Sequence, residues 1–182
     1  MLSVADNPPI TFPDNTPVAA MRGTWWVAHT KARQEKAFAH DLMRKGVSYF
    51  LPLVERVRVI KGRKFRPLIP LFPSYVFVCL TDSERFGLFR GNRLAGTISV
   101  ADQAGLCREL DGIQKAIAAG APMQSCPTPK RGQRCRIVAG PFEGIEGAVA
   151  RKNGSTRLIL EVRSVGQAVY LDIEADLLEL LT

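Results

Sequence analysis

Leu71-Phe72-Pro73-Ser74-Tyr75-Val76-Phe77-Val78-Cys79-Leu80 decides the fold. From Tyr75 onward no charged side chain interrupts the run. A short stretch rich in Val and aromatic residues predicts a strand buried on both faces at the centre of a sheet. On its amino-terminal side, Trp25 to Thr30 reads as a second strand and Arg33 to Lys45 as a helix, with Phe38 and Leu42 on one face and Gly46 as its stop. Val47 to Pro52 is a further short strand. Val54 to Phe65 alternates basic and apolar residues around Lys61-Gly62, as a two-stranded ribbon does. On the other side, Asp82 or Ser83 caps a short helix through Glu84, Phe86 and Phe89, and Thr97 to Val100 is a strand. Asp102 to Ala119 is a helix whose Leu106, Leu110, Ile113 and Ile117 share a face, stopped by Gly120. The class is α+β, a mostly antiparallel sheet with packed helices.

Residues 1–21, with Pro8, Pro9, Pro13 and Pro17 and no periodicity, read as a disordered leader. Pro122, Pro127 and Pro129 mark a linker. Beyond it the pattern is all-β: strands at Gly132–Val138, Gly147–Val149, Arg157–Val162 and Val169–Ile173, a Gly140-Pro141 turn and an Asn153-Gly154 hairpin signal. Short strands packed into about 54 residues predict a small closed β-barrel. The expected division is leader 1–21, α+β domain 22–120, linker 121–129 and barrel 130–182.

The chain carries 25 Lys and Arg against 17 Asp and Glu, a net charge of +8. Residues 22–70 hold 12 of those bases against three acids, a concentration that predicts a phosphate-facing surface without sequence specificity. Cys79, Cys107, Cys126 and Cys135 form no CxxC pair, which leaves free thiols and no metal site. No apolar run has the length of a membrane span, and residues 1–21 lack the basic and apolar regions of a secretory signal, so a soluble, cytoplasmic protein is expected. There is no Gly-x-Ser-x-Gly, phosphate-binding loop or His-Glu-x-x-His, and Cys135 has no neighbouring base. The expectation is a binding protein, with no enzymatic activity and no cofactor.

Gly132 to Val149, with its Gly140-Pro141-Phe142 turn and spaced glycines, resembles a KOW motif. Trp25-Trp26-Val27-Ala28-His29-Thr30 and Leu71 to Val78 resemble the opening strand and the Phe-Pro-Gly-Tyr strand of the NusG amino-terminal domain. Their order is that of NusG-family transcription elongation and antitermination factors across 25–182. The resemblance implies that the barrel is a five-stranded, SH3-like KOW domain and that the protein is a monomer. It implies that Phe50, Leu51, Pro52, Phe72, Tyr75 and Phe77 meet the clamp helices of bacterial RNA polymerase. It assigns Lys31, Arg33 and Arg93 to non-template DNA, Arg90 to nucleic acid, and Arg56, Arg58, Lys61, Arg63 and Lys64 to upstream DNA. Phe142, Ile145 and Val165 would recruit Rho or a small-subunit ribosomal protein.

Two departures, Ser74 in place of the family's glycine and Val165 where housekeeping members carry an aromatic, point to a specialised RfaH-like antitermination paralogue. The alternatives are a housekeeping NusG with Rho and ribosome coupling, or an RNA-binding, ribosome-associated KOW protein. Alternation alone also reads Phe72, Tyr75 and Phe77 as core, and Phe142 as a barrel plug. Six glycines between 129 and 182 oppose refolding of this segment into a helical hairpin, at about 1 kcal/mol each relative to alanine.

Overall fold

The computed structural model describes residues 7–81, 84, 92–126, 132–152 and 155–181. They divide into two compact units, 1–103 and 104–182. The expected helix 82–89 (apart from Glu84), Arg90, the prolines at 127 and 129 and the Asn153-Gly154 turn lie outside the described residues.

In the first unit, β1 (Thr11–Phe12), β2 (Thr24–Thr30), α1 (Glu35–Arg44), β3 (Ser48–Phe50), β4 (Leu53–Glu55), β5 (Arg58–Ile60), β6 (Arg63–Phe65), β7 (Leu68–Pro70), β8 (Tyr75–Leu80) and β9 (Leu94–Ser99) follow in order. The main sheet runs β1-β3-β8-β2-β9, antiparallel throughout. β8 is its central strand. Val76, Val78 and Leu80 join Phe38, Ala39 and Leu42 of α1 in one core cluster with Ala28, Tyr49 and Leu51. On the opposite face Phe77 pairs with Val27 and Phe50, and Cys79 with Trp25, all buried. Two-sided burial is why the β8 sequence does not alternate. Helix α1 stops at Gly46, whose φ of +69° lets its N–H reach Met43 O while the Val47 N–H reaches Leu42 O. That double bond is a Schellman closure, and it delivers Val47 to the same core as Leu42.

From residue 7 onward, the segment read as a disordered leader is built into this sheet. β1 pairs with β3, Thr11 opposite Phe50 and Phe12 opposite Tyr49, and Leu51 N–H donates to Ile10 O at 2.7 Å. Phe12 stacks on Tyr49, whose hydroxyl donates to Pro9 O at 3.0 Å. Lys36 Nζ reaches Asn7 Oδ1 and Leu68 O, and Val18 is fully buried. The prolines removed the sequence signal here, because a two-residue strand at a sheet edge needs no periodicity to be held.

The second unit holds all but the first residue of α2 (Gln103–Ala118), then β10 (Met123–Cys126), β11 (Arg134–Ile137), β12 (Glu146–Lys152), β13 (Ser155–Val162), β14 (Gln167–Asp172) and β15 (Leu178–Leu180). The expectation of a closed, five-stranded SH3-like barrel is overturned. These strands form one six-stranded antiparallel sheet in the order β10-β14-β13-β12-β11-β15, and among the described residues no ladder joins its two edges. The cause is the segment read as linker: Met123–Cys126 takes the edge of β14, while β15 takes the edge of β11. Each edge thus has its own terminal strand, and closure would need one strand to serve both. Among the described residues no helix is long and apolar enough to cross a membrane.

Burial, with a smaller contribution from Asp14, raises the Tyr49 phenol above its usual value of 10. Below pH 10 the phenol is neutral in folded and unfolded chains alike and its contribution is intact. Above that pH the unfolded chain loses the proton first, so stability falls as pH rises. Denaturant unfolding from neutral pH to about pH 11 is expected to show this fall, and a shallower one in Tyr49→Phe. At neutral pH that variant is expected to lose about 1 kcal/mol with its hydrogen bond to Pro9.

Candidate functional site

The turn ahead of β8 carries the residues that the family resemblance singles out. Ser74 sits at φ +67°, and its N–H donates to Oε1 of the buried Glu35 at 2.6 Å. Its carbonyl accepts the Thr30 N–H at 2.8 Å, and the Tyr75 N–H closes on Phe72 O at 3.2 Å. A carboxylate from the first turn of α1 therefore fixes the turn from below. Phe72 meets Phe77 edge-on at 5.9 Å, and Phe50 lies 6.3 Å from Phe77. These three form one buried cluster. Leu51 belongs to the core on the α1 side, and the buried Pro52 accepts the Leu71 N–H. Only Tyr75 of the six is half-exposed, and it stacks on His29 at 5.2 Å. The sequence offers His29 no partner signal. Its cross-strand pairing with Tyr75 follows from the β2–β8 register, which one strand's sequence does not contain.

Beyond β2 the chain forms a shallow depression of about 470 Å³, lined by Lys31, Ala32, Gln34, Asp41, Asn92 and Arg93. Lys31 Nζ donates to Asn92 Oδ1 at 2.8 Å. Arg93 donates from Nε to Asp41 Oδ2 at 2.7 Å and from Nη1 to Gln34 Oε1 at 2.6 Å. Asp41 thus offsets the charge of Arg93, and the exposed Lys31 and Arg33 supply the outward positive field. Arg33 adopts φ +63° as the chain turns into α1.

The ribbon expected around Lys61-Gly62 is present as an arm. β4 pairs with β7 and β5 with β6, and the Arg56 N–H donates to Pro67 O between the two ladders. Lys61 and Gly62 sit at φ +48° and +75°, the two positive values of a type I′ turn. Every residue from 55 to 66 is exposed, so Arg56, Arg58, Lys61, Arg63 and Lys64 all face solvent. Glu55 pairs with Arg66 at 3.8 Å, a surface contact worth less than about 1 kcal/mol.

In the second unit, Phe142 is half-buried in the turn closed by Gly144 N–H on Ile137 O, Ile145 is buried, and Val165 is half-buried in the 3-10 turn 163–165. Arg163 at that turn donates to Glu109 of α2 at 2.5 Å. Burial raises the Cys135 thiol, which keeps it in its non-nucleophilic form.

What these groups offer is recognition: a pinned aromatic turn, a cationic loop and a cationic arm. The chain belongs to the NusG family, residues 23–134 matching the family model described as transcription termination factor NusG. Members of that family are non-catalytic transcription factors, and membership puts this chain in the transcription elongation class. A solved chain from the crystal structure of the MjSpt4:Spt5 complex, conformation B, is 18% identical, with 87% of this chain and 97% of that chain covered at a TM-score of 0.25.

Replacing Glu35 by Ala removes the acceptor for the Ser74 N–H and is expected to cost about 1–3 kcal/mol in chemical denaturation. Glu35→Gln keeps a carbonyl at the same place and is expected to recover most of that loss.

Proposed function

We propose that this chain is a general NusG-type elongation factor. Its first unit docks on the clamp helices of bacterial RNA polymerase, its Lys31 loop and arm hold neighbouring DNA, and its carboxy-terminal sheet recruits a second protein such as Rho or a small-subunit ribosomal protein. The observation that carries this reading is the family match over 23–134, which spans both the pinned Phe72–Tyr75 turn and the arm. The mechanism needs no bond-making. A factor that binds the closed clamp better than the open one shifts the polymerase towards the closed form by its differential affinity. In this docking Tyr75, with His29 stacked on it, is the first contact, on the face of β8 that also carries the buried Phe77 with Phe50 and Phe72 beside it. A specialised RfaH-like role draws support only from Ser74 and Val165.

The full-length chain is expected to co-purify with bacterial core RNA polymerase, and Tyr75→Ala to weaken that association by about tenfold. Enhancement of Rho-dependent termination in a reconstituted reaction supports the general factor, and suppression supports the specialised one. Failure to bind polymerase, with retained affinity for structured RNA, moves the assignment to a ribosome-associated protein.

A further inference from the structure

We infer that the arm from Leu53 to Pro70 is a duplex-DNA wedge, entering the minor groove tip first with Ile60 as the apolar point that unstacks a base step. This rests on the nucleic-acid reading of the arm and goes beyond it, because charge alone explains only phosphate contact. The arm exposes Val57, Val59, Ile60 and Phe65, at 58%, 63%, 50% and 46% of their surfaces. The I′ turn and the ladders hold the ribbon's shape without burying these side chains. An isolated ribbon with no buried face is marginal in water, and these four side chains are open to a partner.

The β5–β6 register sorts them. Arg58 lies opposite Phe65, and Ile60 opposite Arg63, so one face carries two cations and two apolar groups on opposite diagonals. Val59 and Lys64 are paired on the other face. A ribbon that lies on a membrane would separate an apolar face from a cationic one, and this arm mixes both on each face. Mixed faces suit a nucleic-acid groove, where cations meet phosphates on the walls and apolar groups meet sugars and bases within. Residues two apart on a strand are about 7 Å apart, close to the advance of two base pairs along a duplex. Lys61 and Gly62 form the tip, and Ile60, next to Lys61 and opposite Arg63, closes the ladder behind it. Minor-groove proteins insert apolar wedges, Ile among them, between base steps and kink the helix by about 20–90°, and Ile60 is the apolar residue nearest this tip.

The test uses the full-length chain and a duplex of about 30 base pairs with a donor and an acceptor dye at its ends, read by energy transfer for bending and by anisotropy for affinity. The wild type is expected to bind and shorten the end-to-end distance. Ile60→Ala is expected to bind within about threefold and leave the duplex straight. Replacing Arg58, Arg63 and Lys64 together by Ala is expected to weaken binding at least about tenfold and to reduce the salt dependence by nearly three counterions. All four positions are exposed, and far-ultraviolet circular dichroism checks that each variant is folded. Binding without bending, or bending unchanged by Ile60→Ala, overturns the wedge and leaves the nucleic-acid reading standing. Preference for single strands, or for anionic phosphatidylserine vesicles, also overturns it. Failure of the wild type to bind any nucleic acid at low salt removes both.

Discussion

Val76, Val78 and Leu80 point one way from β8, and Phe77 and Cys79 the other, and both sets are withdrawn from water. Each large side chain contributes roughly 1.5–3 kcal/mol by that withdrawal, so the strand is stable only where both sides are covered. The requirement orders the first unit. β2 and β3 must flank β8, α1 must lie over one face, and the turn that feeds the strand must be held still. Glu35 does the last, coupling the start of α1 to Ser74.

The arm obeys the opposite rule. Between Glu55 and Arg66 nothing is buried, and the ribbon holds its form by ladder and turn alone. A rigid sheet thus carries an exposed, cationic projection. The Tyr75–His29 stack is a third environment, half in the sheet and half in water, on the same face of β8 as the buried Phe77. Exposed side chains on rigid support are what a binding surface requires.

Much of this was legible in the residues. The unbroken apolar run gave β8 its bounds, the i, i+4, i+7 spacing gave α2, and Lys61-Gly62 gave the arm's turn, because each of those signals is local. Pairing across long separations was not. β10 lies between Pro122 and Pro127, prolines that by themselves point to a linker. β15 has only three residues, and β1 is embedded among prolines. Such strands exist because an edge is waiting for them, and edges are properties of the assembled sheet. The same blindness produced the closed barrel, since the sequence shows strands and turns but not which strand caps which edge. Of the candidate site, the basic positions on the ribbon could be read from alternation. The burial of Phe50, Phe72 and Phe77 and the partnership of His29 with Tyr75 needed the register.

β1 is a cap as well as a strand. By pairing with β3 it occupies backbone groups that would otherwise be open to another chain, and a ladder of two residues does so with little holding it shut. On that side of the main sheet the backbone of β3 is covered by residues 7–12, anchored by Pro9 O on the Tyr49 hydroxyl and Asn7 on Lys36. Any change that lifts this short segment, a fusion or a cleavage before residue 12 included, converts a finished edge into a template for intermolecular strand addition. Protection of that edge lies in a stretch that carries none of the candidate site residues.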